Sequence, residues 1–128
     1  AGFASILPKA PIINVSSDFS PLRKEMEIKN ILTKQKPDAI FASDDLTAIL
    51  VMKIAQELGI SVPEQLKVIG YDGTYFIENY YPQLTTIKQP LEEIACLTVD
   101  LLLQKIEGKE VATTGYFLPV SLLPGRSV

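Results

Sequence analysis

Histidine is absent from these 128 residues and cysteine occurs once. The first absence removes the commonest general base and transition-metal ligand. With no CxxC pair in its place, zinc and Ser-His-Asp chemistry are poor candidates. The second forbids an internal disulfide. Cys96 lies in the apolar run Ile94-Ala95-Cys96-Leu97, which is expected to bury an inert thiol and fits a reducing, cytoplasmic setting. Net charge is −3 with no basic block, so this stretch lacks the phosphate-neutralising patch that DNA binding of its own would need. No apolar run reaches membrane-spanning length and no charged-then-apolar leader opens the chain, so a soluble protein without a membrane partner is expected. Gly70 and Gly73 do not make the GxGxxG loop that cradles phosphates. No metal or cofactor is expected.

What is present suits one globular unit: 47% of the residues are hydrophobic, with no bias toward disorder. The β-branched run Pro11-Ile12-Ile13-Asn14-Val15 reads as a buried strand. Ser20-Pro21 then opens a helix, Ser as N-cap and Pro at the first helical position, with Leu22, Met26, Ile28, Ile31 and Leu32 inward and Lys36-Pro37 ending it. Ala39 to Ala42 is a second strand. Ser43-Asp44-Asp45 caps a helix reaching about Leu58 and closed by Gly59. Lys67 to Gly70 and Leu84 to Ile87 are further strands, separated by an irregular stretch from about Tyr71 to Pro82. Pro90 starts a helix with Leu91, Ile94, Ala95, Leu101, Leu102 and Ile106 inward and Gly108 at its end. The segment from Tyr116 to Leu122 alternates loosely, and Pro119 makes it an edge or crossover piece.

Strands alternating with helices predict an α/β fold with a mainly parallel, doubly wound sheet and helices on both faces. Such sheets bind ligands beyond the carboxyl ends of their strands. Three polar clusters fall there: Ser16-Ser17-Asp18, Asp44-Asp45 and Asp72. Fixed carboxylates accept hydrogen bonds from neighbouring hydroxyls and so suit a polyol, while Phe19 could cover the apolar face of its ring. The competing reading makes Asp18 and Asp44 helix caps and Phe19 a core residue. A glycosidase needs two carboxyls facing each other roughly 5 to 9 Å apart. Adjacent Asp44 and Asp45 diverge at a helix start, although Asp44 with Asp72 could meet that spacing.

The helix from Asp45 to Leu58 is apolar around most of its circumference, with Thr47, Lys53, Gln56 and Glu57 its clearly polar positions. One sheet cannot cover all of it, so either neighbouring helices or a second subunit does. Tyr75, Phe76, Tyr80 and Tyr81 are amphipathic aromatics of the kind found at interfaces, and they equally suit a pocket rim.

Four segments, Pro37 to Asp45, Leu58 to Pro63, Val68 to Asp72 and Pro82 to Pro90, resemble in order and spacing the effector-binding core of the lactose- and galactose-repressor (LacI/GalR) family. The close Leu122-Leu123-Pro124-Gly125-Arg126-Ser127 is similar to the family's Arg-Ser ending. The resemblance implies a two-lobed fold like that of periplasmic sugar-binding proteins, with a small-molecule effector, a sugar the expected class, in the cleft. It implies effector contacts for Asp72, Asp44, Asp18, Phe19 and Gln89, with Asp44 standing where relatives commonly carry Asn. A homodimer face of Leu46, Ile49, Leu50, Lys53 and Tyr80 is expected. Leu50 stands where the family often has Gly, and Gly73 where it often has a second acid.

On this resemblance residues 1–89 belong to the C-terminal lobe, 90–108 form a helix that packs on an N-terminal lobe, and 109–128 return to the C-terminal lobe. Operator DNA would be read through a helix-turn-helix domain that these residues lack. The expected function is effector sensing and dimerisation within a transcriptional repressor, not catalysis. A secreted solute-binding receptor of the same fold and a sugar-processing enzyme are the alternatives.

Overall fold

The computed structural model describes residues 11–12, 20–111 and 115–128. Most of the expected strand at 11–15, together with Asp18 and Phe19, lies outside the described residues. The elements are α1 (Pro21–Asn30), a π-helical continuation over Ile31–Gln35, β1 (Ala39–Phe41), α2 (Asp45–Glu57), β2 (Lys67–Asp72), α3 (Tyr75–Tyr80), β3 (Thr85–Lys88), α4 (Leu91–Ile106) and β4 (Ser121–Leu123).

The four strands lie in sequence order, β1-β2-β3-β4. β1, β2 and β3 run parallel, in the registers Phe41↔Ile69 and Asp72↔Lys88, and β4 closes the edge antiparallel to β3. The Pro119 segment thus leads into an edge strand, where a residue without an N–H is tolerated. Parallel neighbours need crossovers, which α2 and α3 supply.

Local chemistry accounts for the boundaries. Pro21 opens α1, where its missing N–H costs nothing. Lys36 ends the π-helical turn in the left-handed region at φ 47°, its N–H donating to Ile31 O at 3.2 Å. Gly59, at φ 71°, turns the chain after α2. The stretch read as irregular is mostly ordered: β2 continues to Asp72, and α3 follows. A helix of six residues is too short for a 3.6-residue period to register.

The core joins Ile28 and Leu32 of the first helical segment, Ala48, Val51, Ile54 and Ala55 of α2, and Leu66, Val68, Ile77 and Leu84. α2 packs on β2, and α1 on α2. Ile28 and Leu32 are the inward pair of α1, whereas Leu22 and Met26, also expected inside, are 75% and 71% exposed. At roughly 100° per residue they lie on a different side of α1 from Ile28 and Leu32. α4 buries none of its residues: Leu91, Ile94, Leu102 and Ile106 are exposed, and so is Cys96. The expectation of a buried thiol fails because Cys96 lies on a side of this helix that no described residue covers, whereas Leu97 and Leu101 are half-buried. Among those residues no helix is long and apolar enough to cross a membrane.

Candidate functional site

The register brings three of the expected site residues to one edge. Asp44 stands three positions beyond Phe41, Asp72 three beyond its partner Ile69, and Gln89 follows Lys88, the partner of Asp72. All three therefore sit at the carboxyl ends of adjacent parallel strands, where open α/β sheets bind ligands.

Asp72 is half-buried and holds φ 123°, a conformation that costs a non-glycine residue on the order of 1–3 kcal/mol. The next residue, Gly73, is also left-handed at φ 59°, and a Cβ there would lie 2.5 Å from Lys88 Cα, so only glycine fits. Gln89 secures the turn twice: its backbone N–H donates to Asp72 O at 3.0 Å and its Nε2 to Asp72 Oδ1 at 2.7 Å. Among the described residues Asp72 Oδ2 has no protein donor, and it is free to accept from a ligand.

Asp44 is differently engaged. As N-cap of α2 it accepts from Thr47 N at 2.7 Å on Oδ1, and from Thr47 Oγ1 at 2.8 Å and Ser43 Oγ at 3.0 Å on Oδ2. Lys24 of α1 donates to Thr47 Oγ1 at 3.1 Å, which brings an ammonium close behind the cap. Burial on its own raises the Asp44 pKa, but the Thr47 and Ser43 donors and the Lys24 charge outweigh it and hold the carboxyl below its ordinary 3.8. A carboxylate has about four acceptor positions, and three are used. The cap reading of Asp44 is thus realised, and little capacity is left for a ligand.

Asp45, the other half of the pair at the helix start, is 3% exposed. Its side chain turns under the sheet, where Oδ2 accepts from Gly73 N at 2.8 Å and Oδ1 from Thr86 Oγ1. Gly70 makes the room, since a Cβ there would come within 2.3 Å of Asp45 Oδ1. The sequence signal was this glycine inside an otherwise β-branched strand, which marks a close approach.

The expected dimer face divides in two. Leu46, Lys53 and Tyr80 are exposed, whereas Ile49 and Leu50 are half-buried and pack against the core. Phe76 stacks on Tyr80 with ring centroids 5.1 Å apart and contacts Tyr81 at 5.7 Å. Beside them lies an open groove of about 620 Å³, lined by Ile49, Met52, Lys53, Gln56, Ile60 and Tyr81 among others. α2 therefore buries one stripe of its apolar surface and leaves the Leu46 side wet.

Parallel strands with crossover helices, and an acidic edge at their carboxyl ends, define an α/β lobe of the periplasmic-binding-protein type. The comparisons agree. The family model for a periplasmic binding protein-like domain matches residues 5–128. The chain is 58% identical, over 99% of its length, to a sucrose operon repressor from Streptococcus mutans serotype c, and 35% identical, also over 99%, to the transcriptional repressor PurR from Edwardsiella ictaluri. It spans 39% of the length of each. A dimeric Lac repressor with an 11-residue C-terminal deletion superposes with a TM-score of 0.82 at 30% identity, over 98% of this chain and 46% of that one. The chain belongs to the periplasmic binding protein-like family and, within it, to the effector-binding domains of LacI/GalR regulators.

Proposed function

We propose that this chain is the effector-sensing and dimerising part of a cytoplasmic transcriptional repressor of sugar utilisation, and that its effector is a sugar. The observation that carries the reading is Asp72, held in a costly backbone conformation at the strand ends with one oxygen unspent among the described residues. Its chemistry, acceptance of hydroxyl protons, suits a polyol. The 58% identical relative is named for a sucrose operon, whereas the relative named PurR is more distant at 35%.

In this reading Asp72 and Gln89 contact the effector, joined by Asp18 and Phe19, and Asp44 stands beside them chiefly as a cap. Leu46, Ile49, Leu50, Lys53 and Tyr80 meet a second copy. Residues 1–89 and 109–128 form the C-terminal lobe, and the exposed helix at 90–108 packs on an N-terminal lobe. Operator DNA is read by a helix-turn-helix outside these residues. Catalysis is not assigned: hydrolysis of a glycosidic bond takes two available carboxyls, and of the two described carboxyls at this edge Asp44 already accepts three donors.

The test is calorimetry of the intact repressor against sucrose, glucose, fructose, their phosphates and hypoxanthine. A sugar is expected to bind, and Asp72→Asn to weaken it at least about tenfold, the worth of one hydrogen bond to a charged group. Wild-type affinity in Asp72→Asn would remove the site assignment, and binding of hypoxanthine alone would remove the sugar.

A further inference from the structure

We infer that Asp45 is a positioning residue for the effector site: from beneath the sheet it braces the turn that presents Asp72. The inference rests on the proposed role of Asp72.

A nearly fully buried acid is an expensive way to stabilise a core, and an apolar side chain of similar shape usually does as well. Its placement thus calls for another reason, and the two donors supply one. Gly73 N–H, at 2.8 Å from Asp45 Oδ2, belongs to the residue directly after Asp72, in a turn where both residues have positive φ. Such a turn persists only if its surroundings fix it. Gln89 holds its outer side through Asp72 O and Oδ1, and Asp45 holds its inner side through Gly73. Thr86 Oγ1, on the neighbouring strand, donates to the second carboxyl oxygen, which is a different oxygen from the one that holds Gly73. Gly70 leaves the space that lets the carboxyl reach across β2. Asp45 on α2 thereby reaches past Gly70 on β2 to one backbone N–H, and the residue directly before that N–H, Asp72, carries the side chain proposed to meet the ligand.

The experiment compares variants of the intact repressor that remove different parts of the brace. Asp45→Ala frees the Gly73 amide, whereas Thr86→Val removes a partner of the same carboxyl and leaves the Gly73 bond in place. Hydrogen exchange read by mass spectrometry is expected to accelerate at least about tenfold over residues 71–74 in Asp45→Ala, with the amides of Val51 to Ala55 still protected. Calorimetry with sucrose and with fructose is expected to register at least about a tenfold loss of affinity in Asp45→Ala and less than about twofold in Thr86→Val. In an Asp72→Asn background, Asp45→Ala is expected to cost nothing further. Asp45→Leu, close in shape and apolar, replaces Asp45→Ala where that variant does not fold. Unchanged exchange over 71–74 overturns the inference, as do equal affinity losses in the Asp45 and Thr86 variants or additive losses with Asp72→Asn. If Asp72→Asn binds sugar normally, the Asp72 reading falls and with it the functional purpose of the brace. The exchange measurement needs no sugar and still decides whether the brace exists.

Discussion

Replacement of Ser127 by Ala is expected to destabilise the domain by about 2–4 kcal/mol without touching the ligand edge. Ser127 is 1% exposed and fills a gap between β2 and β3. The β2–β3 ladder starts at Ile69↔Thr85, so the backbone groups of Val68 that face β3 have no strand partner. Ser127 supplies both: Val68 N–H donates to Ser127 O at 2.7 Å, and Ser127 Oγ donates to Val68 O at 2.6 Å. The same hydroxyl accepts from Thr85 N at 2.9 Å. Alanine keeps the first bond and deletes the other two, which orphans a carbonyl and an amide in a dry place. Each orphan costs about 1–3 kcal/mol, and partial relaxation brings the pair to the stated figure. Urea unfolding followed by circular dichroism reads it as a lower midpoint at constant slope. Val68 lies four residues from Asp72 along β2, about 13 Å at strand rise, so sugar affinity is expected to stay within about twofold. A loss below about 0.5 kcal/mol would refute the accounting, and weakened binding would refute the separation of the two ends of the strand.

Gly70→Ala should act at the other end. Its methyl would meet Asp45 Oδ1 at 2.3 Å, with Leu84 Cδ2 and Thr86 Oγ1 at 3.2 Å, so the brace must shift. A loss of about 2–3 kcal/mol is expected together with weaker sugar binding, and wild-type unfolding would show that the carboxyl moves aside freely. Asp44→Asn tests the cap through pH. The Asp44 carboxyl lies below its ordinary 3.8 in the folded chain, so its stabilisation is complete above about pH 4 and is lost as pH falls through the folded value. Asn also caps helices, so the change at pH 7 should stay under about 1 kcal/mol, while the acid-side fall in stability below about pH 4 becomes shallower. Superimposable acid limbs for wild type and variant would contradict the direction of the shift.

Residue type and spacing carried the order of the fold. Pro21, Asp44, Gly59 and Pro90 each punctuate the chain through a backbone requirement that is local, and every one of them bounds a helix as expected. Apolar periodicity located stripes equally well but said nothing of what covers them. Leu22, Met26, Leu91 and Cys96 lie on such stripes and are exposed, because cover is a property of neighbours and not of the helix itself. The same limit applied to the acids. A carboxylate at a helix start uses the same lone pairs to cap as to hold a ligand, so sequence left Asp44 undecided until its donors were counted. Asp45 was less legible still, for its partners Thr86 and Gly73 lie 41 and 28 residues away in the chain. The Arg-Ser ending was visible as a resemblance, and only the ladder gap beside Val68 gives Ser127 a physical reason.

Three neighbouring acids thus receive three tasks, and the division bears on what the edge can recognise. Asp44 accepts from its own helix, Asp45 from the turn beneath the sheet, and Asp72 keeps one oxygen open. Asparagine at position 44 would cap through its oxygen and still offer an N–H to a ligand, whereas aspartate offers none. Gln89 spends one of its two amide N–H groups on Asp72 and leaves the other beside its carbonyl oxygen. Lys88, the cation next to it, is tied to Glu78 at 2.9 Å. If Asp72 holds the effector, the described part of the edge presents mainly acceptors, with one Gln89 N–H among them, and asks its ligand chiefly for donors. A neutral sugar, whose every hydroxyl can donate, satisfies that request. A sugar phosphate brings acceptors and negative charge to the same place, so the neutral sugar is expected to bind at least about tenfold tighter than its phosphate in calorimetry, and the reverse order would locate the dominant contacts on other residues of the cleft.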